Sequence, residues 1–215
     1  MAESATVAII DYGSGNIGSI VNILRKAGAE AVLSADPDEL RRASHLILPG
    51  VGAFDTCMRN LRQSGLIPVL EERVLRAGTP LLGICVGMQM LSRGSEEGVE
   101  PGLGWIDAAT RRFVAPPGTS MRIPHMGWNA VRPARPVPLF AGLEDGARFY
   151  FVHSYHVRCD DPIDVAGIAD YGGEFTAAVQ RGNISGVQFH PEKSHKFGVR
   201  LIGNFVAEVS CSPRA

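Results

Sequence analysis

The sequence predicts a single three-layer α/β domain, in which helices cover both faces of a central, mixed and mostly parallel β-sheet. Two observations predict this architecture. In the first 85 residues, short apolar runs alternate with segments of helical periodicity, a pattern typical of β-α-β units with parallel strands. Beyond residue 105 the chain changes to short strands separated by turns, which makes the predicted sheet mixed.

The first half of the chain contains four predicted strands, each an apolar or β-branched run. These runs are residues 6–11, 29–34, 45–50 and 80–84. Apolar residues at helical spacing predict a helix over residues 17–24. A second helix begins after Asp36, a residue type that caps helix N-termini, with Pro37 at its first position. Residues 55–77 are a third helical stretch, which Gly65 and Pro68 interrupt.

The second half contains four more strand-like runs and a closing helix. The runs are residues 147–157, 163–172, 175–180 and 184–190. The last two predict a hairpin that turns at Arg181-Gly182-Asn183. Apolar residues at four-residue spacing predict a helix over roughly 194–209. We expect residues 1–215 to form one domain, with a core at about 6–206 and a disordered tail at 211–215.

Composition and charge argue against several classes of protein. The 215 residues are 45% hydrophobic and 20% charged, and the net charge of -1 offers no basic surface for nucleic acid or membrane. No apolar run approaches the length of a membrane span, and the first residues lack a signal-peptide pattern, so we expect a cytoplasmic location. The cysteines form no CxxC pair and the histidines are scattered, so reduced thiols and no metal are expected.

The stretch "GICVG", residues 83–87, places a cysteine between two glycines at a predicted strand-to-helix junction. This is the nucleophile-elbow pattern, G-x-S-x-G, with sulfur in place of oxygen. An elbow exposes the Cys85 side chain, and the adjacent helix N-terminus favours its thiolate. The alternative is a buried structural cysteine, which the flanking glycines disfavour. Cys85 is therefore the predicted nucleophile.

His190 and Glu192, in "QFHPEKS", follow the last predicted strand. In open α/β sheets the carboxyl edge of the strands carries the ligand site, and Cys85 emerges at that edge. Pro191 fixes the turn, so Glu192 can reach back to the His190 imidazole. The three residues predict a triad of nucleophile, base and orienting carboxylate. Taken alone, a His-Glu pair of this kind more often lies at a solvent-exposed strand end and has no catalytic role.

The loop "LPGVGAF", residues 48–54, is a candidate oxyanion hole. Gly50 and Gly52 flank Val51 directly after a predicted strand, and glycines let the backbone turn its N–H groups inward. The N–H of Val86, just after the nucleophile, is the natural second donor. Most loops of this kind are only turns, so the loop is evidence for an oxyanion hole only in combination with the predicted triad.

Taken together, these motifs resemble those of the class I, triad-type glutamine amidotransferases, in which "PGVGAF", "GICVGMQ" and "QFHPEKS" occur in this order. Three others, "IIDYGSGNIGS", "PHMGWN" and "YFVHSYH", resemble the family of glutaminase subunits of imidazole glycerol phosphate synthases. The match covers about residues 6–206. The resemblance implies a flavodoxin-like fold and a reaction without cofactor or metal.

The same resemblance implies an activity and a partner. Cys85 attacks the side-chain amide of glutamine, and hydrolysis of a thioester releases glutamate. Ammonia passes to a separate cyclase subunit with a (β/α)8 barrel fold, with which the chain forms a heterodimer in histidine biosynthesis. There it enters a ribulosyl-aminoimidazole-carboxamide nucleotide. The resemblance also implies that the isolated chain is nearly inactive until the partner and its ligand dock. Docking then rearranges the "PGVG" segment and turns the Val51 N–H toward the oxyanion.

By resemblance, further residues are assigned to the glutamine pocket and to the partner interface. Gln89 lies one helical turn after Cys85 and can face the same pocket. The pocket residues are Gly50, Gly52, Gln89, Glu97, Ser154 and Tyr155. The interface residues are Met126, Trp128, Asn129, Tyr150, Lys193, Asp11 and Asn16. The last two have an alternative role in shaping the first turn.

Three other functions fit parts of the pattern. One is an ammonia donor for a different synthase, such as those for anthranilate, GMP or pyridoxal phosphate, but "HMGWN" beside "DYGSGN" argues against it. Another is a non-catalytic regulator or scaffold, which the intact Cys85, His190 and Glu192 disfavour. The last is a free-standing cysteine hydrolase, which predicts full activity without a partner.

Overall fold

The computed structural model describes residues 5–118, 120–143 and 146–208 of the chain. The strands in these ranges are β1 (Thr6–Ile10), β2 (Glu30–Ser34), β3 (His45–Gly50), β4 (Leu81–Cys85), β5 (Ala108–Arg112), β6 (His125–Ala130), β7 (Arg132–Pro133), β8 (Arg148–His153), β9 (Tyr155–Cys159), β10 (Val165–Asp170), β11 (Glu174–Arg181) and β12 (Ile184–Val187). The helices are α1 (Ile17–Lys26), α2 (Pro37–Arg42), α3 (Phe54–Gln63), α4 (Ile67–Glu71), α5 (Val86–Met90) and α6 (His195–Val206). The predicted tail 211–215 lies outside the described residues.

The central sheet is mixed and mostly parallel, which confirms the predicted fold class. Its order is β2-β1-β3-β4-β12-β11-β10-β7, and β9 and β5 branch from β11. The first five strands of this order pair in parallel, and β11, β10 and β7 pair antiparallel. Because β3, β4 and β12 are parallel neighbours, their carboxyl ends meet at one edge of the sheet.

Local sequence explains why the first half alternates strand and helix. Every residue of β3 and β4 is buried, since helices cover both faces of the parallel strands. The Asp36 carboxylate accepts a hydrogen bond from the Asp38 N–H at 2.8 Å, so α2 begins at Pro37 as predicted. The long helical stretch divides at Gly65, whose φ is 71°, and α4 continues into a π-helical turn at Glu72–Arg76.

The second half contains the predicted hairpin and one arrangement that the sequence did not predict. Strands β11 and β12 pair with Arg181 opposite Ile184, which leaves a two-residue turn. The predicted strand 147–157, however, divides at Ser154. Its first part, β8, pairs with β6 in a separate two-stranded sheet, and its second part, β9, pairs with β5. The closing helix ends at Val206. Within the described ranges, no helix has the length and apolar character needed to cross a bilayer.

Candidate active site

Cys85 lies where β4 meets α5, at the carboxyl edge of the sheet. Its φ is 56°, a left-handed conformation that costs a non-glycine residue about 1–3 kcal/mol. The side chain is buried, whereas the elbow pattern predicts an exposed one, but it lines a cavity at this edge. A strained turn that presents a thiol to a cavity is the geometry of a nucleophile elbow.

Three glycines permit the elbow because backbone segments approach one another closely there. A Cβ atom at Gly87 would collide with the carbonyl oxygen of Leu48 on β3. A Cβ atom at Gly50 would collide with the nitrogen of Gly87, and one at Gly83 would lie 2.8 Å from the Gly87 oxygen. Gly50 therefore packs behind the elbow and is not among the residues that line the cavity, although the resemblance placed it in the pocket.

His190 and Glu192 form a buried hydrogen-bonded pair beyond the end of β12. Nδ1 of His190 lies 2.8 Å from Oε1 of Glu192, and the two side chains are only 4% and 1% exposed. The His190 backbone N–H donates to the Tyr150 carbonyl at 2.8 Å, which ties this segment to β8. Because a carboxylate accepts hydrogen bonds, the pair places a proton on Nδ1 and leaves Nε2 for the reaction.

The environment of His190 favours its protonated form. Burial lowers the pKa of the imidazole, but Cys85 and the Glu192 carboxylate outweigh burial and raise the pKa to about 9. Nε2 is buried and forms no hydrogen bond within the described part of the chain. At neutral pH, His190 can therefore hold a proton and pass it to a leaving group.

A cavity of about 360 Å³ opens beside Cys85 and His190. Its size is in the range of small-molecule sites. Most of its lining residues are predicted site residues, namely Val51, Gly52, Cys85, Val86, Gln89, Glu97, Ser154, Tyr155, His190 and Lys193. The sequence did not predict the other three, which are Pro124, Val152 and His153. Lys193, assigned by resemblance to the partner interface, therefore also borders the cavity.

Gln89 and Glu97 are held on the cavity wall by hydrogen bonds to other segments. Gln89 Nε2 donates to the Tyr155 carbonyl at 3.2 Å and to Oε1 of Gln188 at 3.0 Å. Oε2 of Glu97 accepts from the Phe54 N–H at 2.9 Å, at the start of α3, where the helix dipole favours a carboxylate. These contacts preorganise two polar groups beside the predicted nucleophile.

The two predicted oxyanion donors are in different states. Val86 is the first residue of α5, so its N–H has no partner within the helix. The Val51 N–H instead donates to the hydroxyl of Ser14, at 3.3 Å. Gly52, between Val51 and α3, has a φ of 89°, and an added Cβ would meet no atom within 4 Å. Glycine is therefore needed at this position for its backbone conformation and not because a side chain would collide with a neighbour.

Four of the predicted interface residues lie on the β6–β8 pair or beside it. Trp128 and Tyr150 are opposite each other in the β6–β8 pair, and the Lys193 ammonium lies 5.5 Å from the centroid of the Tyr150 ring. Trp128 is 40% exposed and also stacks on His195 at 5.3 Å. Met126, on the same strand, is 62% exposed. Exposed apolar side chains of this size often mark a binding surface.

The other three predicted interface residues make contacts within the chain. The Asn129 side chain donates to the Asp170 carbonyl at 2.7 Å. The Asp11 carboxylate accepts from the Gly13 N–H at 3.2 Å, so it shapes the first turn. Asn16 precedes α1 but forms no side-chain capping bond. Among the described residues, no group of three or more histidine, cysteine or acidic side chains is placed to bind a metal ion.

Comparison with known proteins identifies the family of the chain. The profile of the glutamine amidotransferase class-I family matches residues 8–209, so the chain belongs to that family. Among solved structures, a putative GMP synthase protein from Thermoplasma acidophilum superposes with a TM-score of 0.71 at 20% identity, covering 96% of this chain and 94% of that one. PurLQS from Thermotoga maritima gives a TM-score of 0.69 at 20% identity, covering 94% and 97%. These two likenesses concern the fold alone.

Sequence relatives define a narrower group. The imidazole glycerol phosphate synthase subunit HisH 2 of Pseudomonas aeruginosa is 51% identical over 93% of this chain and 98% of its own length. The protein of that name from Methanococcus maripaludis is 50% identical over 94% and 99%. Subunit HisH of Bdellovibrio bacteriovorus is 49% identical over 93% and 98%. Within class I, the chain belongs to this HisH family.

Proposed function

We propose that the chain is the glutaminase subunit of an imidazole glycerol phosphate synthase and acts in histidine biosynthesis. It hydrolyses glutamine to glutamate and ammonia. The observation that carries the proposal is the placement of Cys85 and His190 at one cavity, with Glu192 hydrogen-bonded to His190, in a chain about half identical to named HisH subunits. The intact triad disfavours a purely structural or regulatory role.

In the proposed reaction, the Cys85 thiolate attacks the side-chain amide carbon of glutamine and forms a tetrahedral oxyanion. The C–N bond then breaks, and His190 gives its Nε2 proton to the departing nitrogen, which leaves as ammonia. His190, now neutral, accepts a proton from the water that attacks the thioester. Glutamate leaves and the thiolate–imidazolium pair is restored. Glu192 keeps the imidazole oriented throughout.

The N–H groups of Val86 and Val51 stabilise the oxyanion in this proposal. Val86 is already placed beside the nucleophile, whereas Val51 must first leave the Ser14 hydroxyl. The observed bond supports a resting state in which one of the two donors is engaged elsewhere. Such a state accounts for low activity of the chain without its partner.

Glutamine recognition is proposed for polar groups on the cavity wall. Glu97 provides a carboxylate for the substrate α-ammonium group. Gln89 has both Nε2 protons engaged, so its Oε1 is a second acceptor for that ammonium group. Gly52 and the Ser154–Tyr155 backbone provide groups for the substrate carboxylate. All of them line the cavity, which supports the assignment. Gly50 contributes indirectly, through its packing against the elbow.

The proposed partner is a cyclase subunit with a (β/α)8 barrel fold, with which the whole chain pairs as a single domain in a cytoplasmic heterodimer. Exposed Met126 and Trp128, together with Tyr150 and Lys193, support a docking surface next to the cavity. Ammonia crosses this surface and joins the nucleotide in the barrel. The joint products are imidazole glycerol phosphate and aminoimidazole carboxamide ribotide.

Substitution of the nucleophile tests the proposed division of labour. In complex with the cyclase subunit, Cys85→Ala should abolish glutamate release but leave synthesis from added ammonia intact. Cys159→Ala is the matched control, because Cys159 is a half-buried thiol that does not line the cavity. Loss of both activities in Cys85→Ala, or retention of glutamate release, would contradict the proposal.

A further inference from the structure

Three side chains and one backbone carbonyl form a continuous chain of hydrogen bonds that reaches the cavity, which His153 and Tyr155 line. Nδ2 of Asn129 lies 3.3 Å from Nε2 of His125. Nδ1 of His125 lies 2.9 Å from Nε2 of His153, and Nδ1 of His153 lies 2.8 Å from the Tyr155 carbonyl oxygen. We call this arrangement the histidine chain. It runs from β6, which carries Asn129, to the cavity wall at Tyr155.

Both ends of the histidine chain fix the direction of its hydrogen bonds. Nδ2 of Asn129 faces the Asp170 carbonyl at 2.7 Å, and its Oδ1 accepts from the Ala130 N–H at 2.8 Å. The amide orientation is therefore set, and Asn129 can only donate to His125. At the other end a carbonyl can only accept, so Nδ1 of His153 must donate to it.

These two constraints define the tautomer of each imidazole. Nε2 of His125 accepts, so the proton of that ring is on Nδ1 and is donated to His153. Nε2 of His153 accepts this bond, so its proton is also on Nδ1. Protonation of either ring at Nε2 would set two donors against each other. The histidine chain therefore requires two neutral imidazoles of the same tautomer.

The surroundings hold both rings in that state. His125 stacks between Phe151, at 4.7 Å, and Tyr171, at 4.0 Å, and both histidines are buried. Burial lowers the pKa of His125 to about 4. Burial also lowers the pKa of His153 to about 3, an effect to which the neighbouring His125, His156 and His190 add and which the Tyr155 carbonyl opposes.

We propose that His153 and His125 are positioning residues for the cavity wall that binds glutamine. They hold the Tyr155 carbonyl in the position where it also accepts a hydrogen bond from Gln89. The inference rests on the proposed glutaminase function. The Tyr155 carbonyl accepts from both Nδ1 of His153 and Nε2 of Gln89. One carbonyl oxygen has two lone pairs, so these two donors satisfy it and hold the backbone at Tyr155 in place.

The alternative is that His153 only fills space in an aromatic core and has no effect on glutamine binding. Phe113 and Phe175 also pack on His153, at 5.2 Å and 5.4 Å, and would tolerate another aromatic ring there. A phenyl ring keeps this packing and removes the donor. An asparagine loses the packing and keeps a donor at the position of Nδ1. The two variants therefore separate the two roles.

The kinetic test uses the full chain in complex with its cyclase subunit. His153→Phe removes the bond to the Tyr155 carbonyl and the bond from His125. It should raise KM for glutamine on the order of tenfold, while kcat changes less than about threefold. His153→Asn should restore KM to within about threefold of the original value. His156→Phe is the matched control, since His156 packs on Phe113 outside the histidine chain and should leave KM unchanged.

A higher KM in His153→Asn than in His153→Phe, or an unchanged KM in His153→Phe, would overturn the inference. A nitrogen-15 NMR spectrum of the imidazoles provides a test that needs no activity. It should show Nδ1–H tautomers for His125 and His153 that do not titrate between about pH 8 and 5.5. An Nε2–H tautomer, or titration near pH 6.5, would refute the histidine chain.

The two tests distinguish this inference from the proposed function. If the unsubstituted complex released no glutamate, the glutaminase role would fail, and the positioning role would fail with it. The NMR spectrum would then still show whether the histidine chain exists. If glutamate release were normal and the tautomers wrong, only the positioning role would fall.

Discussion

The backbone N–H of Val51 donates a hydrogen bond to the hydroxyl of Ser14, 37 residues away, at 3.3 Å. The same hydroxyl lies 3.2 Å from the Val51 carbonyl, which also accepts from the Cys57 thiol at 3.3 Å. Both polar groups of Val51 are thus held by side chains that do not line the cavity. In the proposed mechanism, this arrangement keeps one oxyanion donor away from the reaction.

Removing the Ser14 hydroxyl should release the Val51 N–H. Ser14→Ala is expected to raise glutamate release by the isolated chain about two- to tenfold, because one hydrogen bond contributes about 0.5–1.5 kcal/mol. Cys57 remains, so the effect should be partial. The measurement is glutamate production without partner, with Ser14→Thr as the control that keeps a hydroxyl. A basal rate equal to that of the original chain would show that this bond does not restrain Val51.

A pair of glycine substitutions should affect stability in opposite directions. Gly87→Ala places a Cβ against the Leu48 carbonyl, and we expect the free energy of unfolding to fall by about 3 kcal/mol or more. Gly203→Ala, within α6, meets no atom within 4 Å and should stabilise the chain by roughly 0.5–1 kcal/mol. Urea unfolding measures both. Similar effects of the two substitutions would contradict the close approach of β3 to the elbow.

The charge of Glu192 should set the alkaline limit of activity. The pKa of His190 is raised to about 9, so the imidazolium needed by the leaving group is present below that pH and is lost above it. Glu192→Gln removes one of the charges that raise this pKa. The alkaline limb of kcat/KM in the complex should move to lower pH, and kcat should fall on the order of 10²-fold.

The matched control for this prediction is Glu39→Gln, which changes an exposed carboxylate on α2. Its pH profile should coincide with that of the unsubstituted complex. An unshifted alkaline limb in Glu192→Gln would mean that the carboxylate does not act on the imidazole.

The buried histidines should make the fold sensitive to mild acid. His125 and His153 have pKa values lowered to about 4 and about 3, whereas an unfolded histidine titrates near 6.5. Below about pH 6.5 the unfolded chain therefore binds protons that the folded chain excludes, so stability falls with pH. Each histidine contributes a slope of about 1.4 kcal/mol per pH unit between roughly pH 6 and 5.

Urea unfolding at several pH values, for the original chain and His125→Asn, isolates one of these slopes. Burial, the largest cause of the lowered His153 pKa, remains in the variant, so the variant should lose stability less steeply, by about 1.4 kcal/mol per pH unit. Parallel pH dependences would mean that His125 is protonated in the folded chain at mildly acidic pH.

Much of the fold follows from local patterns in the sequence. Strands β1, β3 and β4 are continuous apolar runs between turns, and the Asp36-Pro37 pair marks the start of α2. The division of residues 147–157 was not predictable, because its cause is pairing with β6, an earlier segment with no strong strand pattern. Local periodicity carries no information about which distant segments pair.

The site shows the same limit. Cys85 and His190 stand out because rare residue types occur at a strand end beside glycine or proline, and Glu192 stands out because it follows His190 in the same turn. His153 ends β8 but lies inside the predicted strand 147–157, and its partner His125 lies 28 residues away, so neither stood out in the sequence. The Ser14–Val51 hydrogen bond was also not predictable, since nothing in the sequence around a serine in a Gly-rich turn indicates its hydrogen-bond partner. Contacts between loops depend on tertiary packing, which periodicity does not encode.

The most direct test of the proposed function is glutamate release from glutamine by the full chain, alone and together with its cyclase partner and the nucleotide ligand. We predict stimulation on the order of 10²-fold or more, because docking supplies an oxyanion donor that the isolated chain withholds. Equal activity with and without the partner would contradict this mechanism and would identify a free-standing cysteine hydrolase.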